Sequence, residues 1–445
     1  MEILMDFIIA VIIFIFSLIY NISKQYSLII PLLIGMLAFS SVAFYRGFKL
    51  RNIVVMLMKG MKKSLYILSI FALIGMITAL WRAGGTIPFF VYYGIKIMNP
   101  DYFILFAFLL TCFVAFALGT CIGTAGTVGV VLIILARSGG VNIYVAAGAI
   151  LSGAFFGDRS SPLSSSANLV AIITETDLYD NIKKMFITGA LPFLATIVVY
   201  LLLSKNNPIN VTNNELIEKF SVNFNLHIST VLPAVIILLL AISKNDVRAA
   251  MLFSIITAVF ICLYIQNLSI QEILKYMIFG FVNTDPALSE IISGGGLISM
   301  LNVTFVVLIA SSYSGIFEGT GMLKDIQGAL IKMSNKIGVY LTTVFTSLVT
   351  CACCCNQTLS VLLTHDLMNN IYKENNLTKD NLAIDIENTA ILIAAIFPWS
   401  VAVAVPLATM DVGAKAIFYA VYLFFVPLMA PLIPKSKVYN LGDGN

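Results

Sequence analysis

Apolar runs recur along the chain at 27–45, 64–81, 102–118, 185–203, 249–266, 299–317, 339–355 and 414–433. Each approaches the roughly 20 residues that cross a bilayer as a helix. About a dozen such segments are expected, some of them interrupted. A backbone surrounded by lipid must satisfy its own hydrogen bonds, so helices are the predicted elements throughout. An earlier apolar run, Phe7 to Tyr20, follows Glu2 and Asp6 rather than a basic stretch, and no small-residue cleavage site succeeds it. It reads as a retained first helix and not as a signal peptide.

The exceptions to the apolar pattern carry the chemistry. "FFGDRSSPLSSSANL", 155–169, places an Asp, an Arg, an Asn and five Ser directly after the apolar run 142–156. A charge near the centre of a membrane helix costs on the order of 3 kcal/mol on insertion scales, so Asp158 needs a role or a partner. Arg159 is adjacent, and neighbouring residues on a helix do not face each other. Pro162 cannot donate to the carbonyl of Asp158 and pushes it aside, and it forces Ser161 toward an extended conformation. A helix break is therefore expected here, assigned to Gly157 and Pro162. Asp158, Ser161, Ser164, Ser165 and Asn168 would line it with oxygen, a donor set suited to Na+; a buried carboxyl also suits a proton. A kinked helix whose serines satisfy one another is the plainer alternative.

Three landmarks in the first half, Gly85, Thr120 and Pro162, have counterparts in Gly321, Asn356 and Pro398, and the intervals within the two sets are identical. One constant offset therefore carries each landmark onto its counterpart. Under that offset the basic stretch 46–63, with six Lys or Arg and no acid, corresponds to the acidic 282–299. Opposite charge bias at corresponding positions predicts halves of inverted topology, with 46–63 a cytoplasmic loop. The expected fold is an all-α polytopic membrane protein, an inverted-topology repeat whose broken helices meet at the membrane midplane. Its expected parts are an N-terminal helix (1–26), a first repeat (27–203), a polar connector with linking helices (204–266) and an inverted second repeat (267–439).

"GTCIGTAGTVG", 119–129, offers Thr120 and Thr124 but lacks the Gly-Lys-Ser/Thr ending of a phosphate loop. Its counterpart "NQTLS" offers Asn356, Gln357, Thr358 and Ser360. In 383–411, Pro398 and Pro406 interrupt an apolar run, with Glu387, Asn388 and Ser400 nearby. Glu387 reads equally as a second ionisable group on the pathway or as a solvated helix start. Asp177 and Asp411 read as helix N-terminal caps, Glu318 as interfacial, and the cysteines of "CACCC", 351–355, as buried packing residues rather than a metal or redox site.

Composition agrees with the pattern: 60% of the 445 residues are hydrophobic and 11% charged. An intramembrane aspartyl protease would need a second membrane aspartate, and the position matching Asp158 is Ala394. No nucleotide-binding or nucleic-acid-binding motif stands out, so an ion gradient is the expected energy source and no cofactor is expected.

"SGAFFGDRSSPLSSSANLVAIITETDLYDNIKKM" resembles the NhaC-type sodium/proton antiporter family. The resemblance extends to "LWRAGGTIPFFVYYG", "GTCIGTAGTVGVVL", "GGGLISMLNVTFVVLIASSYSGIFEGTGML" and "NLAIDIENTAILIAAIFPW". It implies a plasma-membrane secondary transporter with ion chemistry at Gly157, Asp158, Ser161 and Pro162. The family pattern carries an Asp where this chain has Ser165 and an Asn where it has Ser400. These departures bear on the substrate, since relatives with this fold move amino acids or carboxylates with sodium. Sodium/proton antiport is the expected activity, and sodium-coupled transport of a small amino acid or carboxylate the alternative. The expected partners are the lipid bilayer, Na+ and either H+ or a small organic solute, with homo-oligomerisation allowed for.

Overall fold

The computed structural model describes residues 2–23, 27–97, 100–208, 214–242, 247–322 and 327–433. Among these the elements are helices, joined by one isolated antiparallel bridge, Phe281 to Gly294. The protein is an all-α polytopic membrane protein.

The first half runs through α1 (Glu2–Ser23), α2 (Ile29–Tyr45), α3 (Leu50–Ala83), α4 (Thr86–Ile97), α5 (Phe103–Leu118), α6 (Cys121–Thr124), α7 (Val130–Ser138), α8 (Ile143–Ser160), α9 (Ser165–Thr174) and α10 (Leu178–Asn206). A π-helical turn, Ala125–Gly129, joins α6 to α7 without a stop, and such turns often mark functional positions. The middle comprises α11 (Asn214–Asn223), α12 (Leu232–Ile242), α13 (Val247–Tyr264) and α14 (Ile270–Phe279). The second half contains α15 (Pro286–Ile292), α16 (Leu301–Thr320), α17 (Gln327–Ile337), α18 (Val339–Cys354), α19 (Gln357–Glu374), α20 (Lys379–Asn388), α21 (Ala390–Ile393), α22 (Val401–Met410) and α23 (Val421–Met429).

Helix ends recur at the offset that carries Gly85 onto Gly321. It maps both bounds of α5 onto those of α18 and both bounds of α9 onto those of α22, and it maps the span Cys121–Ser138 onto α19. The left-handed turns recur with them: Gly119 (φ 67°) with Cys355 (φ 56°), and Gly85 (φ 80°) with Gly321 (φ 68°). Cys355 ends α18 in a conformation that glycine adopts at the corresponding place, and its thiol lies 3.1 Å from the Tyr313 hydroxyl. All seven cysteines are buried free thiols.

Several expectations need correction. Residues 46–63 are not a loop, because α3 starts at Leu50 and carries Arg51, Lys59, Lys62 and Lys63. Apolar residues between them supply a continuous helical surface, so charge alone does not end the helix. Gly60 lies there against the Ser311 and Ser312 carbonyls of α16, where an added Cβ would stand 2.3 Å from oxygen. The run 414–433 is not one span but a 3₁₀ turn (Ala414–Tyr419), α23 and a second 3₁₀ turn (Ala430–Leu432). Among the described residues three helices are long and apolar enough to cross a bilayer: Cys121–Ser138, Leu178–Asn206 and Leu297–Thr320. A fourth arises if the pair Leu68–Ala83 and Thr86–Tyr93, bent by 60° at Gly84 and Gly85, counts as one. Further apolar helical stretches run to 10–17 residues.

Candidate functional site

The site grows from the end of α8. Gly157 lies inside the helix and not at its break, a correction with a packing reason: a Cβ there would stand 2.2 Å from the Ala115 carbonyl carbon on α5. Its missing side chain lets two helices touch. The helix stops at Ser160, since Ser161 adopts the extended conformation (φ −82°, ψ 137°) that a following proline imposes. The chain then turns through Pro162 and Leu163, packed on Gly119, and Ser164 opens α9 by accepting from the Ala167 amide at 3.3 Å.

This turn folds the start of α9 back over the carbonyl that Pro162 leaves free. The Asp158 carbonyl accepts from Ser164 Oγ at 2.5 Å and from Ser166 Oγ at 3.0 Å. Its carboxylate Oδ2 accepts from Ser166 Oγ at 3.1 Å and from Gln357 Nε2 at 3.0 Å. The Cys121 backbone amide, at the start of α6, also acts on the carboxylate. Gln357 Nε2 donates in addition to the Ile391 carbonyl of α21 at 3.0 Å. One carboxylate, only 4% exposed, is therefore held by the turn after α8 and by the start of α19, and through Gln357 it is linked to α21.

Beside Asp158, Arg159 points the other way, into a second buried network. Its guanidinium donates to the Tyr422 hydroxyl (3.0 Å), the Met185 carbonyl (3.1 Å), Thr188 Oγ1 (3.0 Å) and Asn388 Oδ1 (2.5 Å). Asn388 thus positions an arginine rather than lining the space around Asp158. Its neighbour Glu387 is fully buried, which removes the reading as a solvated helix start, and neither carboxyl oxygen has a hydrogen-bond partner among the described residues. Arg159 and Asp158 are the charges that act on it.

The remaining sequence candidates divide by geometry. Ser165 is exposed on the first turn of α9, and Ser166, one position on, faces Asp158 instead. Ser161 donates to the Phe116 carbonyl (2.6 Å), and Asn168 donates to the Pro162 (3.1 Å) and Ser164 (2.6 Å) carbonyls, so both brace the turn. Thr120 and Asn356 are the N-caps of α6 and α19, and Thr124 donates back to the Thr120 carbonyl at 2.8 Å. Thr358 is exposed. Ser400, the counterpart of Ser164, precedes α22 with its hydroxyl buried and without a partner among the described residues. Pro398 lies in the non-helical turn before it, but Pro406 does not interrupt α22, which runs on to Met410. The carbonyl that Pro406 frees, that of Ala402, lies 4.0 Å from the Cys121 thiol. Asp177 caps α10 by accepting from the Asp180 amide at 2.9 Å, whereas Asp411 ends α22 instead of starting a helix.

Sequence reasoning missed Ser166 and the Cys121 amide, and left Gln357 as one member of a polar stretch. The signal for Ser166 was its place two residues after the N-cap, where a hydroxyl turns back toward the preceding helix end. Asp158 offers carboxylate and carbonyl oxygens and Ser164 and Ser166 hydroxyl oxygens, a set suited to an alkali cation, while Gln357 turns its amide nitrogen to the carboxylate. Among the described residues no group of three or more His, Cys, Asp or Glu could hold a resident metal.

Residues 153–433, more than half of the chain, match the model of the Na+/H+ antiporter family. An uncharacterized Na+/H+ antiporter of Haemophilus influenzae is 30% identical over 79% of this chain and 78% of its own length. The Na+/H+ antiporter NhaC of Alkalihalophilus pseudofirmus is 26% identical over 91% and 89% of the two chains, and the malate-2H+/Na+-lactate antiporter of Bacillus subtilis 27% identical over 80% and 77%. The matched region contains both chain breaks and the Asp158 carboxylate, and with that coverage the chain belongs to the Na+/H+ antiporter family.

Proposed function

We propose that this protein exchanges Na+ for H+ across the plasma membrane, with Asp158 as the carboxylate that binds sodium. The reading rests on family membership, and its site on one observation: a buried carboxylate held by Ser166 and Gln357 where several helix ends meet. A carboxylate that binds a cation through its oxygens loses that affinity when protonated. Competition between sodium and a proton for the same group is the simplest source of antiport. The breaks let the two halves move without tearing a continuous helix, and the recurring helix ends fit halves of inverted topology, with the basic start of α3 on the cytoplasmic side.

The test is a sodium pulse applied to proteoliposomes that enclose a pH-sensitive dye, with no organic solute present. Proton movement opposite to sodium, lost in Asp158→Asn while the protein remains inserted, is the expected result. Wild-type exchange in Asp158→Asn would remove this residue from the mechanism. The malate/lactate relative favours one second reading, exchange of a small carboxylate coupled to sodium, and active protein that moves no protons without added solute would favour it.

A further inference from the structure

A cavity of about 350 Å³ lies apart from Asp158, between α3, Gly294 and Gly295, the start of α16 and the end of α22. Its lining includes Thr78, Arg82, Ser299, Asn302, Thr409 and Asp411. Arg82 is the unusual member, 2% exposed in the last turn of α3. A helix C-terminus favours a cation, but it leaves most of this guanidinium's donors unmet. Nη1 makes one long hydrogen bond, 3.4 Å to the Thr78 carbonyl, and Nε has no partner among the described residues. Arginine stays protonated, so its donors call for acceptors that the surrounding chain does not supply.

Glycine walls leave space beside the guanidinium. Gly294 has φ 131°, and a Cβ there would lie 3.6–3.8 Å from the Arg82 Cζ, Nη1 and Nη2 atoms, across the face the glycine leaves open. Gly295 packs so closely on α3 that its Cβ would stand 2.6 Å from the Ala79 nitrogen. The facing charges are Asp411, which pairs with Arg137 at 3.3 Å, and Arg137 itself. Two guanidiniums against one carboxylate leave the region one positive charge in excess. An acidic group with two coplanar oxygens matches the fork of the free guanidinium, and the cavity volume falls in the range of small-molecule sites.

We infer that this cavity docks the carboxylate of a small organic anion on Arg82, with Asn302 and Ser299 beside it to hydrogen-bond a hydroxyl or second polar group. The inference does not rest on the antiport reading, because no residue around Asp158 lines this cavity.

The experiment is equilibrium dialysis of purified full-length protein with radiolabelled L-lactate and L-malate, alongside sodium/proton exchange measured without organic solute. Saturable binding of at least one acid is expected, weakened tenfold or more in Arg82→Gln. Asn302→Asp places a negative charge on an exposed wall position with little change of shape; it is expected to weaken binding at least fivefold with exchange intact. Binding unchanged in both variants, or displaced equally by equimolar chloride, would overturn the assignment, as would no binding of either acid by protein that exchanges sodium. Loss of exchange in wild-type protein with binding retained would count against the antiport reading and leave this one standing.

Discussion

Glu175 and Asp411 end the two short helices that follow the chain breaks in the same left-handed conformation, φ 55° and 54°, and the offset between the halves carries one onto the other. Each is also paired with a residue remote in sequence: Glu175 with Lys379 at the start of α20, and Asp411 with Arg137 at the end of α7. Two crossed ion contacts thus join each half to a short helix of the other.

If those short helices shift when access alternates, one contact must open at each stage. We predict that Arg137→Gln changes the exchange rate two- to fivefold and that the charge swap Arg137→Asp with Asp411→Arg restores it. Thermal stability should barely move in the single variant, because a solvent-exposed ion pair of this kind contributes about 0–1 kcal/mol. Exchange rates indistinguishable among the three proteins would show that the contact is static.

The two adjacent serines make a sharper comparison. Ser166 donates to both the carbonyl and the carboxylate of Asp158, and Ser165 is exposed. Ser166→Ala is predicted to raise the sodium concentration for half-maximal exchange by roughly 5–30-fold, the equivalent of about 1–2 kcal/mol for hydrogen bonds to a charged group. Ser165→Ala should leave it unchanged. Equal effects of the two substitutions would mean that α9 sits in another rotation.

Why one serine was legible as part of a break and the other was not follows from the same turn. Pro162 announces a break by chemistry that needs no neighbours, since its ring and missing N–H act on the carbonyl one helical turn back. Which hydroxyl then faces Asp158 depends on the N-cap, and Ser161, Ser164, Ser165 and Ser166 are all open to that role. Only the fold selects Ser164 and so sets the phase of α9. Gly157 shows the converse, because a glycine shortly before Pro162 reads as part of the break while its actual requirement is the nearness of Ala115 on another helix. The offset between the halves was legible in spacing, because turns keep their positions while side chains diverge. The partner of Asp158 in α19 was less so: Asn356 takes the cap, which turns Gln357 inward and Thr358 out.

The closeness at Gly157 can be tested directly. A methyl group there would overlap the backbone of α5, a neighbour that cannot rotate away. Gly157→Ala should therefore destabilise the protein by about 1–3 kcal/mol, the usual range for overpacking. A lowered melting temperature in detergent is expected, and an unchanged one would mean that α5 and α8 lie further apart.

Glu387 carries the last prediction. It is buried with neither oxygen hydrogen-bonded among the described residues, and the terminal nitrogens of the nearby Arg159 donate to Tyr422, Met185, Thr188 and Asn388 while its Nε has no partner among them. An ionised carboxylate in that setting would lack any compensating bond, whereas a neutral carboxyl is far less costly to bury. Glu387→Gln has nearly the same shape and no charge, so it should fold and insert as the unmodified chain does. If Glu387 takes up and releases a proton during the cycle, that variant should still bind sodium at Asp158 yet move fewer protons per sodium than the unmodified protein. The comparison needs sodium binding by purified protein and proton flux by reconstituted protein, each also measured for Asp158→Asn, which should lose both. Full coupling in Glu387→Gln would assign the proton to Asp158 alone and leave Glu387 a buried neutral side chain beside the Arg159 network.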